Sequence, residues 1–153
     1  MKKSTVISAI SENFAAFETT FECDELFEKI KATLTELVKT EGVRTVATAM
    51  NLGIETLAAQ AALEVREHTA LCLECVIPFE EQATTFTESE RDRYYSVIEK
   101  CDKETMIDRK EAEDSLIRCY EYLVETSDII LIGEMPEEAV EAVKSSGKKI
   151  IYL

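Results

Sequence analysis

Four glycines and two prolines are all that 153 residues contain, and tryptophan is absent. No linker rich in Gly, Pro or Ser divides the chain, and no internal repeat or low-complexity stretch interrupts it. The scarcity of glycine also removes the two commonest nucleotide fingerprints, since neither GxGxxG nor GxxxxGK[ST] occurs. Basic charge is short as well. The 31 acidic against 17 basic side chains leave a formal net charge of −14, with no basic stripe to neutralise a phosphate backbone or an anionic bilayer. No run approaches the ~20 apolar residues of a membrane span. The opening MKKSTVISAISENF holds too short an apolar run for a signal peptide. These absences predict a cytoplasmic chain, most simply one domain over residues 1–153, with neither nucleic acid nor membrane as a partner.

The five cysteines, Cys23, Cys72, Cys75, Cys101 and Cys119, are odd in number and scattered, so no disulfide framework is expected. Cys72 and Cys75 form a CxxC pair in LCLECVIP, which reads as a strand. Side chains three apart on a strand point to opposite faces and cannot share one metal. His68, the sole histidine, ends a helix and completes no zinc ligand set. Reduced, mostly buried thiols are therefore expected. No serine, cysteine or lysine stands with a histidine in a catalytic motif, and no residue argues for an enzyme.

What the chain does have is alternation. Short β-rich runs at Thr5–Ile10, Arg44–Thr48, Leu71–Ile77, Lys103–Ile107, Asp128–Ile132 and Lys149–Leu153 alternate with helical patterns, the fourth run being the weakest. CDELFEKIKATLTELVKTEG puts Leu26, Ile30, Leu34, Leu37 and Val38 on one face, with Gly42 as the stop. ESERDRYYSVIEKCD and EAEDSLIRCYEYLVETS repeat the pattern, and PEEAVEAVKSSG has Pro136 near its first turn. The pattern predicts an α/β fold: a mostly parallel sheet of five to six strands with helices on both faces.

One junction stands out. After the strand VRTVAT comes AMNLGIETLAAQAAL, in which Ile54, Leu57, Ala58, Ala61 and Leu63 follow Gly53 at near-helical spacing. Turns of this β-to-α kind are where open α/β proteins place ligands.

Two blocks together resemble a known family. IPFEEQATTFTESERDRYYSVIEKCD carries Pro78, Phe79, Glu81, Gln82, Phe86, Tyr94, Val97 and Asp102 at the spacing of a "PFxEQ, aromatic, tyrosine helix ending in Asp" block. That block marks the YpsA-like branch of the SLOG (SMF/DprA–LOG) superfamily. Upstream, AMNLGIETLAAQAA resembles the family's SGxxGxExxAAxxA junction, and nearly the whole chain aligns in order. The resemblance implies a three-layer Rossmann-like fold with a pocket at the carboxyl ends of the strands, taking a nucleotide- or ADP-ribose-like ligand.

The departures bear on that ligand. Ala49 and Met50 stand where the family has Ser-Gly, and Ser8, Ala9, Ile10, Ser11 and Glu12 replace a TGxRP-like turn. GEMPEE lacks the glycine–threonine loop of relatives, and the PGGxGTxxE motif of the LOG enzymes is absent with its catalytic arginine and glutamate. Phosphate binding needs free N–H groups and preferably a cation, so the phosphate site reads as degenerate and nucleotide affinity as weak. The residues expected at a ligand are Ser8, Ser11, Asn51, Gly53, Glu55, Pro78, Phe79, Gln82, Arg109, Gly133 and Glu134. Alternatives stand beside several of them. Glu55 is a helix-dipole partner or a reader of ribose hydroxyls, while Asn51 and Gln82 bind a ligand or complete turns. Tyr94, Tyr95 and Phe86 are core residues or a stacking platform. Arg109 is a ligand cation or pairs with Glu111 or Glu113, and the carboxylates around Glu111, Glu113 and Asp114 read as solvated surface.

Two functions follow. One is a small-molecule-binding module that keeps the pocket in altered form. The other is a protein-interaction module, working as a homo-oligomer, that has lost its ligand. The floor around Ala9, Met50 and Gly133 discriminates: open space favours the first, a filled floor the second.

Overall fold

The computed structural model describes residues 5–10, 20–133 and 137–153. Within them strands and helices alternate in the order β1 (Thr5–Ile10), α1 (Thr20–Glu41), β2 (Val43–Thr48), α2 (Ile54–Arg66), β3 (Cys72–Phe79), α3 (Glu88–Lys100), β4 (Lys103–Asp108), α4 (Ser115–Thr126), β5 (Ile129–Ile132), α5 (Glu137–Lys144) and β6 (Lys149–Tyr152). The six strands form one sheet in the order β4-β3-β2-β1-β5-β6. Every neighbouring pair is parallel, so the expected mostly parallel sheet is wholly so. The chain steps outward from β1 to β4, then returns to the other side of β1 as β5. That reversal puts a topological switch between β1 and β5, the position at which open α/β sheets commonly take ligands.

The strands alternate which layer they feed. On one face Ala9, Val46, Leu73, Cys75 and Leu131 pack with Ile30 and Leu34 of α1 and with the alanine-rich face of α2. On the other, Ala47, Val76, Ile130 and Ile132 pack with Cys119 and Leu123 of α4 and Val143 of α5. Central strands covered on both faces need apolar residues at successive positions, which is why IILI of β5 is continuous rather than alternating. β4 needs less. It is an edge strand, largely exposed at Lys103 and Glu104, and pairing with β3 holds it in place despite its weak apolar pattern. Cys72 is exposed and Cys75 buried, as opposite faces of a strand require. Cys75, Cys101 and Cys119 are likewise free thiols.

Local chemistry sets the helix ends. Gly42 adopts φ +66 after α1, the left-handed stop expected of it. Thr87 and Glu90 close a reciprocal capping box at the start of α3, with the Thr87 N–H donating to Glu90 at 2.8 Å. α4 begins later than its sequence pattern indicates. The Ser115 hydroxyl accepts the Ala112 N–H at 2.8 Å and donates to the Asp108 carboxylate at 2.7 Å, tying residues 109–114 into a loop.

Asp102 ties α2 and α3 to the sheet. Its carboxylate accepts the Leu73 N–H at 2.8 Å and an Arg66 guanidinium N–H at 2.9 Å. Partial burial opposes its charge, but these two donors outweigh burial and hold the carboxyl below its ordinary 3.8. A carboxyl depressed in the folded state contributes stability above the unfolded pKa and loses it as pH falls through the folded value. Asp102→Asn is therefore expected to be less stable than the parent at neutral pH and to converge on it below about pH 4. Urea midpoints measured across that range check this. A deficit that stayed constant with pH would contradict it.

Candidate functional site

A chain of polar side chains crosses the carboxyl edge of the sheet. It begins on α3, where the Tyr94 hydroxyl donates to Gln82 Oε1 at 3.0 Å. Gln82, in a 3-10 turn after β3, donates through Nε2 to the Ala49 carbonyl at 2.9 Å and to Asn51 Oδ1 at 3.0 Å. Asn51 Nδ2 donates onward to the Glu55 carboxylate and to the Tyr120 hydroxyl, each at 3.3 Å. Tyr120 of α4 closes the chain by donating to Glu55 at 2.9 Å. Gln82, Glu55 and Tyr94 are buried, and among the described residues no buried side-chain N or O lacks a partner. A buried polar network is stable only when complete, so these contacts fix how α2, α3 and α4 meet over the strand ends.

Beside this chain lies a cleft of about 480 Å³ over the ends of β2, β3 and β4. Leu52, Pro78, Phe79, Phe86, Ala112 and Leu116 supply its apolar walls, with Asn51, Gln82, Thr85, Glu111, Glu113 and Ser115 as polar lining. Phe86 meets Tyr94 edge-on, with ring centroids 5.7 Å apart. Arg118, two residues after Leu116 on α4, is engaged by Asp108 and, through Nε at 3.0 Å, by Asp114. The Ser115 hydroxyl and this guanidinium hold the Asp108 carboxyl below the usual carboxylate range.

The structure brings together some of the expected residues and separates others. Asn51, Pro78, Phe79 and Gln82 line the cleft, and Glu55 touches it through Asn51. Gly53 stands at the amino end of α2 with φ 96 and ψ −132, a conformation comfortable only for glycine. Ser8 lies elsewhere: buried mid-strand, its hydroxyl donates to the Leu123 carbonyl at 3.3 Å and contacts Ser127, which anchors α4 to β1. Arg109 is exposed and does not line the cleft, and Gly133 follows β5 two strands away from β2. Ser11 and Glu134 lie outside the described residues. Glu55 is 1% exposed, so it is more than a surface partner of the helix dipole. Of the three aromatics weighed as core or platform, Tyr94 is core, Phe86 lines the cleft, and Tyr95 is 55% exposed. Among the residues missed were Tyr120, Glu111, Glu113 and Leu116. The first lies on a helix whose spacing signals only packing, and the others belong to a segment that reads as helix or solvated surface.

The YpsA family model, described as the YspA SLOG family, matches residues 13–144. The chain belongs to the YspA SLOG family. Among solved structures, DNA processing protein A (DprA) from Streptococcus pneumoniae superposes with a TM-score of 0.65 at 11% identity. The match covers 97% of this chain and 50% of that one, so the chain spans half the length of that relative, and the likeness is one of fold. No curated protein matches the sequence.

Within the YspA SLOG frame the most informative position is Met50. The resemblance of AMNLGIETLAAQAA to the SGxxGxExxAAxxA junction sets it at a glycine position, and it adopts φ +63, the left-handed region that favours glycine. The backbone is left-handed although the residue carries a Cβ, and the methionine side chain is fully buried. Ala9 is fully buried as well. The Tyr120 hydroxyl and the Cys119 thiol are held neutral. Burial first, and the Glu55 charge second, raise the Tyr120 hydroxyl far above its ordinary value and push the Cys119 thiol up to about 12.

Proposed function

We propose that this YspA SLOG chain is a small-molecule-binding module whose ligand is nucleotide-derived and seats its uncharged part in the cleft over β2–β4. One observation carries the reading: the cleft places two aromatic rings, Phe79 and Phe86, beside the amides of Asn51 and Gln82. Such a combination of flat apolar walls with a few fixed polar groups suits a base or nucleoside. The phosphate part is disfavoured. Met50 occupies the glycine position, Arg118 is engaged by two carboxylates, and Glu111 and Glu113 line the cleft. Nucleic acid is not the expected partner of a chain with net charge −14. No described helix is long and apolar enough to cross a membrane.

A thermal-shift series with nucleosides, nucleotides and NAD derivatives tests this. A ligand at 100 times its Kd stabilises by about 2.7 kcal/mol, enough to read as a clear rise in Tm. Nucleosides should raise Tm more than their phosphates. A second reading, a homo-oligomeric protein-interaction module without ligand, is favoured by the full burial of Ala9 and Met50. A flat response to every compound would select it.

A further inference from the structure

The polar lining of the cleft is unequal in kind. Both Gln82 Nε2 protons are engaged, by the Ala49 carbonyl and Asn51 Oδ1, and both Asn51 Nδ2 protons by Glu55 and Tyr120. The Ser115 hydroxyl proton goes to Asp108. Each amide oxygen, by contrast, has accepted one bond and keeps a second lone pair: Asn51 Oδ1 from Gln82, Gln82 Oε1 from Tyr94. Glu111 and Glu113 add carboxylates, which only accept, and Thr85 adds a hydroxyl that serves either way. Among the described residues no lysine or arginine lines the cleft. Its side chains therefore accept hydrogen bonds and offer almost none, while its aromatic walls suit a flat body and attract a cation placed over a ring face.

We propose that the cleft selects a flat ligand carrying a protonated amine, whose N–H groups bond the Asn51 and Gln82 oxygens and whose charge is met by Glu111 and Glu113. For the body of that ligand the inference rests on the nucleotide-derived reading above; for the amine it rests on the lining alone. It goes beyond that reading by naming the group that replaces phosphate: a cation where relatives of this fold are expected to take an anion.

Titration calorimetry on the full chain with four probes tests it: adenosine, 5′-amino-5′-deoxyadenosine, adenosine 5′-monophosphate and benzylammonium. The amino nucleoside is expected to bind about five- to tenfold more tightly than adenosine, the range set by two partly solvated charge contacts, and the monophosphate more weakly than either. Glu111→Gln with Glu113→Gln should bring the ratio of amine to adenosine close to one. Glu138→Gln, on the exposed face of α5, should leave it unchanged. Both glutamates of the cleft are exposed, and matching thermal melts of parent and variant establish that the fold is intact. Equal binding of adenosine and its amine overturns the inference and leaves the nucleoside reading standing, as does a preference that survives the double variant. Glutamate-dependent binding of benzylammonium without either nucleoside supports the inference and overturns the nucleoside reading. Silence from all four probes overturns both.

Discussion

Gln82→Leu is expected to cost about 3 kcal/mol of folding stability, although the substitution adds apolar surface at a buried position. Three groups lose their partner at once: the Ala49 carbonyl, Asn51 Oδ1 and the Tyr94 hydroxyl. Each buried polar atom left unpaired costs roughly 1–3 kcal/mol, partly offset where relaxation or water repairs it. Tyr94 supplies the diagnostic. Its hydroxyl is buried and held neutral well above its ordinary pKa, chiefly by that burial, so it cannot escape by ionising. Adding Tyr94→Phe to Gln82→Leu removes an orphaned group rather than another favourable contact, so the double variant should be no less stable than the single one. Urea unfolding of the four proteins gives the coupling directly. Simple additivity, with each substitution destabilising independently, would show that the two residues do not act as one network. Gln82 also lines the cleft, so its loss should weaken ligand binding along with stability.

The second large effect is an inversion at Met50. Truncating a buried methionine normally costs about 2–5 kcal/mol, and glycine normally does worse than alanine because it is freer when unfolded. Here φ is +63, and a residue with a Cβ gives up about 1–2 kcal/mol to sit there. Met50→Ala loses the burial and keeps the strain, whereas Met50→Gly loses the burial and sheds the strain. Glycine should therefore be the more stable of the two by about 1 kcal/mol, with both below the parent. Binding should move the other way. With the side chain gone, the turn before α2 regains the close backbone approach of the family's glycine, and ADP-ribose should bind Met50→Gly more tightly than the parent protein. Chemical denaturation and calorimetry on the three proteins decide both points. Alanine more stable than glycine would refute the strain argument. Tight ADP-ribose binding by the unaltered chain would refute the obstruction.

The sequence by itself determined the local features. Alternation of β-rich runs with helical patterns predicts the element order, and the apolar spacing of Ile30, Leu34 and Leu37 marks the face of α1 that is buried. The turn at Gly53, the stop at Gly42 and the opposed faces of Cys72 and Cys75 were legible for the same reason. Each follows from backbone geometry within a few residues, where periodicity and glycine chemistry leave a direct trace. Only the tertiary structure decided the site. Glu55 meets Tyr120 across 65 positions, Gln82 reaches Asn51 across 31, and Glu111 and Glu113 line one cleft with Phe79 because the chain folds β4 beside β3. Hydrogen bonds between such distant side chains have no period, and a glutamate in a helix's first turn reads the same whether it faces water or a buried tyrosine. Which turns gather at the sheet's carboxyl edge depends on strand order, and strand order is set by which faces pack best together rather than by any single segment.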